Sequence, residues 1–392
     1  MGGIVGGGAH AQSIRNFAGD SILYRSHIFH AWGGGCMVRE HDDDDAIAKA
    51  RVIVMKYGWN SSAYQILNKG MCLWFSKTTE AVIGYQDFGR YRIVAGAPVC
   101  ALTDVAAVIE ELKEETAKLH KNICYFCAGT RLASFLLTED SGNSILLGAE
   151  PVWHPQEWAE RIQEKPSLRA QVARAVNKGV HVNAWDNDRA AKDPMLQKCL
   201  EDWLSTRGLP PLHFLIESQT LDRLLDRRLY VAERDGMPIG FVTLAPIPNR
   251  NGWLVEQNIR GASAPNGTIE LLLTHAASDV ASMGAEFFTL GLSPLSRQYS
   301  SPSSGRDAWW LKGILAWLRA HGTRFYNFGG LDAFKSKFRP AYWEPIYALT
   351  TEDAISLPTL YAIAGAFAGM SPVRLVAHAL LRAAVRELGR GR

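Results

Sequence analysis

Apolar positions along the chain first follow a helical period and then fall into short blocks of strand character. "DAIAKARVIVMKYG" (45–58) reads as a helix that starts at the acidic stretch "HDDDD" (41–45), because carboxylates suit a helix N-terminus. The same acidic stretch could instead attract a divalent cation. "MCLWFSK" (71–77), "EAVIGYQDFG" (80–89) and "RYRIVAGAPV" (90–99) are apolar runs broken by Gly and polar pairs, which predicts successive strands. "LTDVAAVIEELKEETAKLH" (102–120) predicts an amphipathic helix, "NICYFCAG" (122–129) a strand and "RLASFLL" (131–137) a helical turn. "SLRAQVARAVNKGVHVNAW" (167–185) predicts a basic helix ending at Gly179, followed by a strand.

The second half repeats this rhythm. "PLHFLI" (211–216), "RLYVAER" (228–234), "PIGFVTLAPI" (238–247) and "GWLVEQNIR" (252–260) predict strands. "GTIELLLTHAASDVASMG" (267–284) predicts a helix, "EFFTLGLSPL" (286–295) a strand, "DAWWLKGILAWLRAHG" (307–322) a helix and "RFYNFGG" (324–330) a strand. Antiparallel strands followed by strand–helix–strand units give a mixed α+β layer. Two such units suggest an internal duplication, with no residue-level repeat to prove it. The polar and proline-rich stretches "DNDRAAKDP" and "RGLPP" place a linker within 186–210. The expected division is a leader (1–45), an N-terminal domain (46–190), a C-terminal domain (205–350) and a tail (354–392).

In the tail, Arg374, His378, Arg382 and Arg386 recur every four residues, and Leu375, Val376, Ala379 and Leu380 line the other side. This is a basic amphipathic helix. It either packs on the globular body or lies on an anionic membrane surface. No run of 18 strongly apolar residues occurs, and "AISLPTLYAIAGAFAGM" (354–370) comes nearest to one. The glycine-rich N-terminus carries neither a secretory signal nor a phosphate-loop Lys-Ser/Thr.

Composition narrows the function classes. The 392 residues are 47% hydrophobic and 21% charged, enough for real cores in two domains. A net charge of +3 argues against a strongly basic nucleic-acid coat while allowing local patches. Six scattered cysteines read as reduced thiols of a cytosolic protein. Cys124 and Cys127 form a lone pair inside an apolar strand, and no histidine spacing or serine elbow suggests a metal site or a triad.

Two stretches carry chemistry. In "EQNIRGASAPNGTIELL" (256–272), a strand end, a polar loop and a helix start at about Gly267 meet beside Arg260. Such a helix start holds phosphate or an oxyanion, or is an ordinary connection. In "FKSKFRP" (334–340), Lys335, Lys337 and Arg339 alternate among aromatic residues, so on an extended segment they share a face. Cations braided with rings suit a polyanion carrying flat bases, a phospholipid headgroup, or merely a solvated strand over core aromatics.

"RxxxAPxGTxELL", "GLSPL" and "FGGLDAFKSKFRPAYWEPIYA" resemble the C-terminal catalytic domain of the phosphatidylglycerol lysyltransferases, the aminoacyl-phosphatidylglycerol synthases or multiple peptide resistance factors. "YGWNSSAYQIL" (57–67), "AVIGYQDFGRYRIVAGAPV", "LGAEPVW" (147–153) and "SLRAQVARAVNKGVHV" occur in the family's order, so the resemblance covers roughly 50–350. It implies tandem GNAT-type acyltransferase domains and transfer of an amino acid from aminoacyl-tRNA to a hydroxyl, usually of a lipid, with no cofactor or metal. Gln257 and Arg260 then stand where members often show Asp and Arg, and Glu270 at the acidic helix position. Lys335 and Lys337 match the "FKxKF" lysines, and Trp343 and Tyr347 the "W…Y" ending. The implied roles are ester polarisation or phosphate holding for Arg260 and Lys335, and amino-group orientation or proton transfer for Glu270. Phosphate or tRNA contacts fall to Lys337, Arg339, Arg324, Trp343 and Tyr347. Many members carry a large N-terminal membrane domain, which is not read here, and Gln257 replaces the usual acid, so the acceptor stays open. The expectation is a cytoplasmic enzyme, peripheral on the inner face of the membrane through 354–392. The rivals are an acyl-CoA-dependent GNAT enzyme, transfer to a soluble acceptor, and a non-catalytic lipid- or RNA-binding module.

Overall fold

The computed structural model describes residues 40–137, 143–205, 214–215, 220–296, 298–299 and 328–368. Residues 1–39 of the expected leader, the predicted helix 307–322, Arg324 and the basic run 371–392 lie outside the described residues, while residues 40–45 are helical rather than part of a leader. Helix α1 (Glu40–Tyr57) leads into β1 (Cys72–Phe75), β2 (Val82–Phe88) and β3 (Tyr91–Ala95). Helix α2 (Val105–Lys118) then crosses over to β4 (Asn122–Ala128), followed by α3 (Thr130–Leu136) and β5 (Ser144–Trp153). Helices α4 (Trp158–Gln163) and α5 (Pro166–Asn177) precede β6 (His181–Trp185), and α6 (Asn187–Lys192) and α7 (Pro194–Ser205) follow it. A meander of β7 (Arg228–Arg234), β8 (Met237–Ile247) and β9 (Gly252–Arg260) feeds helix α8 (Thr268–Ser282). Then come β10 (Phe287–Thr289), β11 (Ser293–Pro294), helix α9 (Phe328–Ser336), β12 (Tyr342–Thr350) and helix α10 (Leu357–Ala368).

All the described strands join one sheet, in the order β1-β2-β3-β4-β12-β5-β10-β9-β8-β7-β6, with β11 paired to β5. Two of the pairs are parallel, β3 with β4 and β9 with β10, and a crossover helix links each of them. This is the duplicated α+β unit that the rhythm of the sequence suggested. Strand β12, last in the chain, is inserted between β4 and β5.

Strands β3, β4 and β8 are covered on both faces, which explains their near-continuous apolar composition. Ile93 and Cys124 face a core shared with α1 and α10, whereas Val94, Ile123 and Tyr125 face α2 through Val108 and Leu112. In the second half, Val242, Leu244 and Val255 pack under α8 (Leu272, Leu273), and Phe241 and Ile259 pack against Leu196 and Leu200 of α7. A buried ion pair ties the halves: Arg227 bonds Glu256 at 2.5 Å, and its Nη2 donates to Asn68 at 2.8 Å.

Four expectations are corrected. The supposed linker 186–210 is helical through Ser205, because Ala190, Leu196, Cys199 and Leu200 supply a buried stripe among its polar residues. Phe214 and Leu215 form a turn, not a strand. Phe328–Ser336 is a helix, not a continuation of a strand. Within 354–392, α10 buries Ala362, Ile363 and Ala366 in the first core, so this part of the tail packs on the body. Among the described residues no helix is long and apolar enough to cross a membrane.

Gly267, with φ +98°, opens α8, and the backbone of Gln171 on α5 packs so closely that an added Cβ has no room. Gly267→Ala is expected to cost about 2 kcal/mol or more, from the left-handed backbone and the forced separation of α5 from α8. Urea unfolding measures this as a lowered midpoint with an unchanged slope.

Candidate functional site

Strands β10 and β11 are two pieces of one interrupted run alongside β5, broken over Leu290–Leu292. Thr289 pairs with Val152 and Ser293 with Ala149, so Glu150 of β5 faces the gap. In the gap Gly291 takes φ +71° and its N–H donates to Thr289 Oγ1 at 3.0 Å. The carbonyls of Gly291 and Leu292 are left outside the ladder, and both accept from Lys335 Nζ at 2.8 Å. A close approach makes this possible: Gly148, with φ +152°, lets Ser293 lie directly on β5, where any Cβ would strike the Ser293 carbonyl.

Lys335 is delivered by α9 and exposes only 4% of its surface. Burial lowers its pKa to about 7, against smaller opposing contributions from Glu150 and Asp332. Nζ donates to two carbonyls, which leaves one position on the nitrogen for a third proton or, in the neutral amine, a lone pair. Asp332, one turn before Lys335 on the same face, accepts from Ser293 Oγ at 2.9 Å and Ser296 Oγ at 2.6 Å. Glu150 accepts from Thr289 Oγ1 at 2.8 Å and Ser61 Oγ at 2.9 Å. Burial raises its carboxyl pKa, and these two hydroxyls offset part of the rise. Across the sheet Glu150 pairs in register with Glu344, which forms a two-pronged ion pair with Arg250 (2.6 and 2.8 Å). Arg250 in turn borders an open cleft of about 730 Å³ with Trp59, His154, Gln156, Glu286 and Phe287. A buried amine therefore faces the buried carboxyl of Glu150 and the half-buried one of Asp332, and the Glu344–Arg250 pair lies between Glu150 and the surface cleft: a candidate proton-handling centre.

The expected site residues do not gather in one place. Lys335, Lys337 and Arg339 do not share an extended face, because helix α9 runs through Ser336. Lys335 turns inward and is too buried to grip phosphate as a surface cation. Lys337 pairs with Glu270 and lies 4.2 Å over the Phe334 ring. Arg339, at φ +52°, pairs with Glu164 and stays half exposed. Arg260 donates to Ala264 O (2.8 Å) and Asn266 Oδ1 (2.9 Å), tying its own loop. Gln257 accepts from Thr220 at 2.5 Å. Trp343 lies opposite Pro151 in β12, and Tyr347 packs on the α2 core, its phenol pushed up to about 12 by burial. Among the described residues no group of three or more His, Cys, Asp or Glu side chains is arranged to hold a metal.

Sequence reasoning missed Ser61, Glu150, Thr289, Ser293, Ser296 and Asp332. A signal was present: "YGWNSSAYQIL", "LGAEPVW", "GLSPL" and "FGGLDAFKSKF" each contribute one of these side chains to the cluster around Lys335.

A family model described as the C-terminal part of phosphatidylglycerol lysyltransferase matches residues 51–350. No curated protein sequence matches the chain. The fold is similar to the C-terminal domain of a protein named as a lysylphosphatidylglycerol synthetase from Agrobacterium fabrum, with TM-score 0.70 and 23% identity over 84% of this chain and 99% of that one. It is also similar to L-PGS from Bacillus licheniformis, with TM-score 0.65 and 18% identity over 85% and 95%, and to FemX, with TM-score 0.51 and 10% identity over 82% and 98%.

Because folding lowers the Lys335 pKa from 10.5, the unfolded chain holds more protons than the folded chain between about pH 7 and that value. Lys335 therefore makes stability rise with pH across this window. Lys335→Met is expected to remove a slope of up to about 1.4 kcal/mol per pH unit and to be relatively most stabilised near pH 7. Urea unfolding of both proteins at a series of pH values reads the difference.

Proposed function

The chain belongs to the phosphatidylglycerol lysyltransferase C-terminal family, and from that premise we propose that it transfers an amino acid from aminoacyl-tRNA to a hydroxyl of a phosphatidylglycerol-like membrane lipid. The observation that carries this reading is the buried Lys335 amine, held by two backbone carbonyls and lowered by burial to a pKa of about 7, so that it can take and return a proton near neutrality. An aminoacyl ester is already activated. Its transfer needs removal of a proton from the attacking hydroxyl and return of one to the departing oxygen.

In this mechanism the acceptor oxygen attacks the ester carbonyl while Lys335 Nζ takes its proton. The tetrahedral intermediate collapses, the bond to the tRNA 3′-oxygen breaks, and the Lys335 ammonium returns the proton to that oxygen. Glu150 and Asp332 offset the transient ammonium charge, which is otherwise costly at a buried position. Arg250 and Trp59 line the cleft through which the reacting groups approach. Lys337, Arg339, Arg324 and Trp343 are assigned to tRNA contacts, and Gln257, Arg260 and Glu270 to supporting the loop and helix beside the centre. The acyl-CoA alternative is weaker, because α5 closes on Gly267 at the loop that would hold a pyrophosphate. The enzyme works peripherally on the membrane, where its acceptor lies.

The test incubates the purified protein with radiolabelled aminoacyl-tRNAs and total membrane lipids, with and without ribonuclease, and counts the organic phase. Ribonuclease-sensitive label is expected there, reduced about 100-fold or more by Lys335→Met and about tenfold by Glu150→Gln, on the scale of a weakened charge-stabilising contact. Intact aminoacyl-tRNA with no label in lipid contradicts the assignment.

A further inference from the structure

The duplicated fold has a second parallel pair, β3 and β4, and the crevice outside the carboxyl ends of such strands is where α/β sheets bind ligands. In the C-terminal repeat this position carries the Lys335 centre. In the N-terminal repeat it is a pocket lined by Tyr57, Trp59, Asn60, Cys100, Val105 and Arg131, among others. We propose that this pocket seats the phosphate of an anionic phospholipid headgroup and docks the N-terminal half on the membrane. The inference rests on the lipid reading above and assigns that reading a surface.

The pocket is short of negative charge. Burial lowers the pKa of Arg131, and no carboxylate lies within ion-pair distance of it among the described residues. Its contact is the Trp59 ring, 5.0 Å away. Asp104 acts on the same Cys100 thiol as Arg131, but it accepts its hydrogen bond from Thr103 at 3.0 Å and does not pair with the guanidinium. Asn60 Nδ2 is buried without an acceptor. A guanidinium fork and an amide N–H thus stand ready for an oxyanion, the bidentate geometry that suits phosphate. The cavity holds about 20 Å³, room for one or two oxygen-sized atoms. The rest of a bound headgroup must therefore lie at the mouth.

The surface next to the pocket carries exposed apolar side chains: Trp59, which lines it, is 38% exposed, and Leu102 and Phe135, within four residues of lining residues in the chain, are 55% and 42% exposed. Phe135 stands one helical turn beyond Arg131 on the same face of α3, and Leu102 lies between two pocket-lining residues. An exposed indole, a phenyl ring and a leucine around a recessed cation match the headgroup–acyl boundary of a bilayer. A soluble phosphate ligand would gain nothing from that rim.

Co-sedimentation of the full chain with phosphatidylglycerol or phosphatidylcholine vesicles, without tRNA, tests the site. Arg131→Gln is expected to weaken binding to phosphatidylglycerol vesicles about fivefold, the effect of one basic contact at an anionic surface, and to weaken phosphatidylcholine binding less, because the choline cation offsets the phosphate there. Leu102→Asp is expected to weaken binding to both, through the rim. The basic segment 374–386 is present in every variant, so the ratios isolate the pocket. Wild-type partitioning of well-folded Arg131→Gln overturns the proposal. So does Arg131-dependent binding of inorganic phosphate in calorimetry without any vesicle effect, which makes the pocket a simple phosphate site. The assay needs no turnover, so an Arg131 effect on vesicles with no label transferred to lipid upholds the docking site and condemns the acceptor assignment alone.

Discussion

Two carbonyl oxygens, those of Gly291 and Leu292, hold the amine of Lys335, and the centre of the sheet is arranged around that contact. A buried lysine without partners is not tolerated. To free two backbone acceptors, β10 ends at Thr289 and the ladder resumes only at Ser293. The gap is kept open by Gly291 in the left-handed region, by the Thr289 hydroxyl that takes its N–H, and by Gly148, which lets Ser293 close on β5. A continuous strand here would consume the carbonyls and leave the amine unsatisfied.

The same constraint explains the sheet order. Lys335 lies on α9, and β12 follows that helix directly. By running between β4 and β5, β12 fixes the end of α9 near the gap and places Glu344 opposite Glu150. Both halves of the chain therefore build one centre: Ser61 and Glu150 come from the first, and Thr289, Ser293, Asp332 and Lys335 from the second. The buried Arg227–Glu256 pair, which also bonds Asn68, holds the halves in register some distance along the chain from the chemistry.

Much of the fold was legible because both β–α–β crossovers have plain signals: apolar runs in their strands and a 3.6-residue stripe in the crossover helices α2 and α8. The elements that misled have physical reasons. Polar residues at 186–194 hid the buried stripe of α6 and α7. The alternation of Lys335, Lys337 and Arg339 imitated a strand although local packing of Phe334 and Phe338 into the second core made a helix. The site was half legible. Lys335 stood out by its charge, but an alternating pattern cannot tell a surface cation from a buried one. Glu150 sits inside an apolar run, and Ser61, Thr289 and Ser293 are ordinary residues until the topology brings four distant motifs together.

The most direct measurement is the pH dependence of the single-turnover rate of transfer from aminoacyl-tRNA to lipid. If the free lone pair of Lys335 accepts the acceptor's proton, the rate rises with pH through a midpoint near the amine's pKa of about 7 and then levels off. A rate that is flat from pH 6 to 9, or that falls as the amine loses its proton, would contradict a neutral Lys335 as the base.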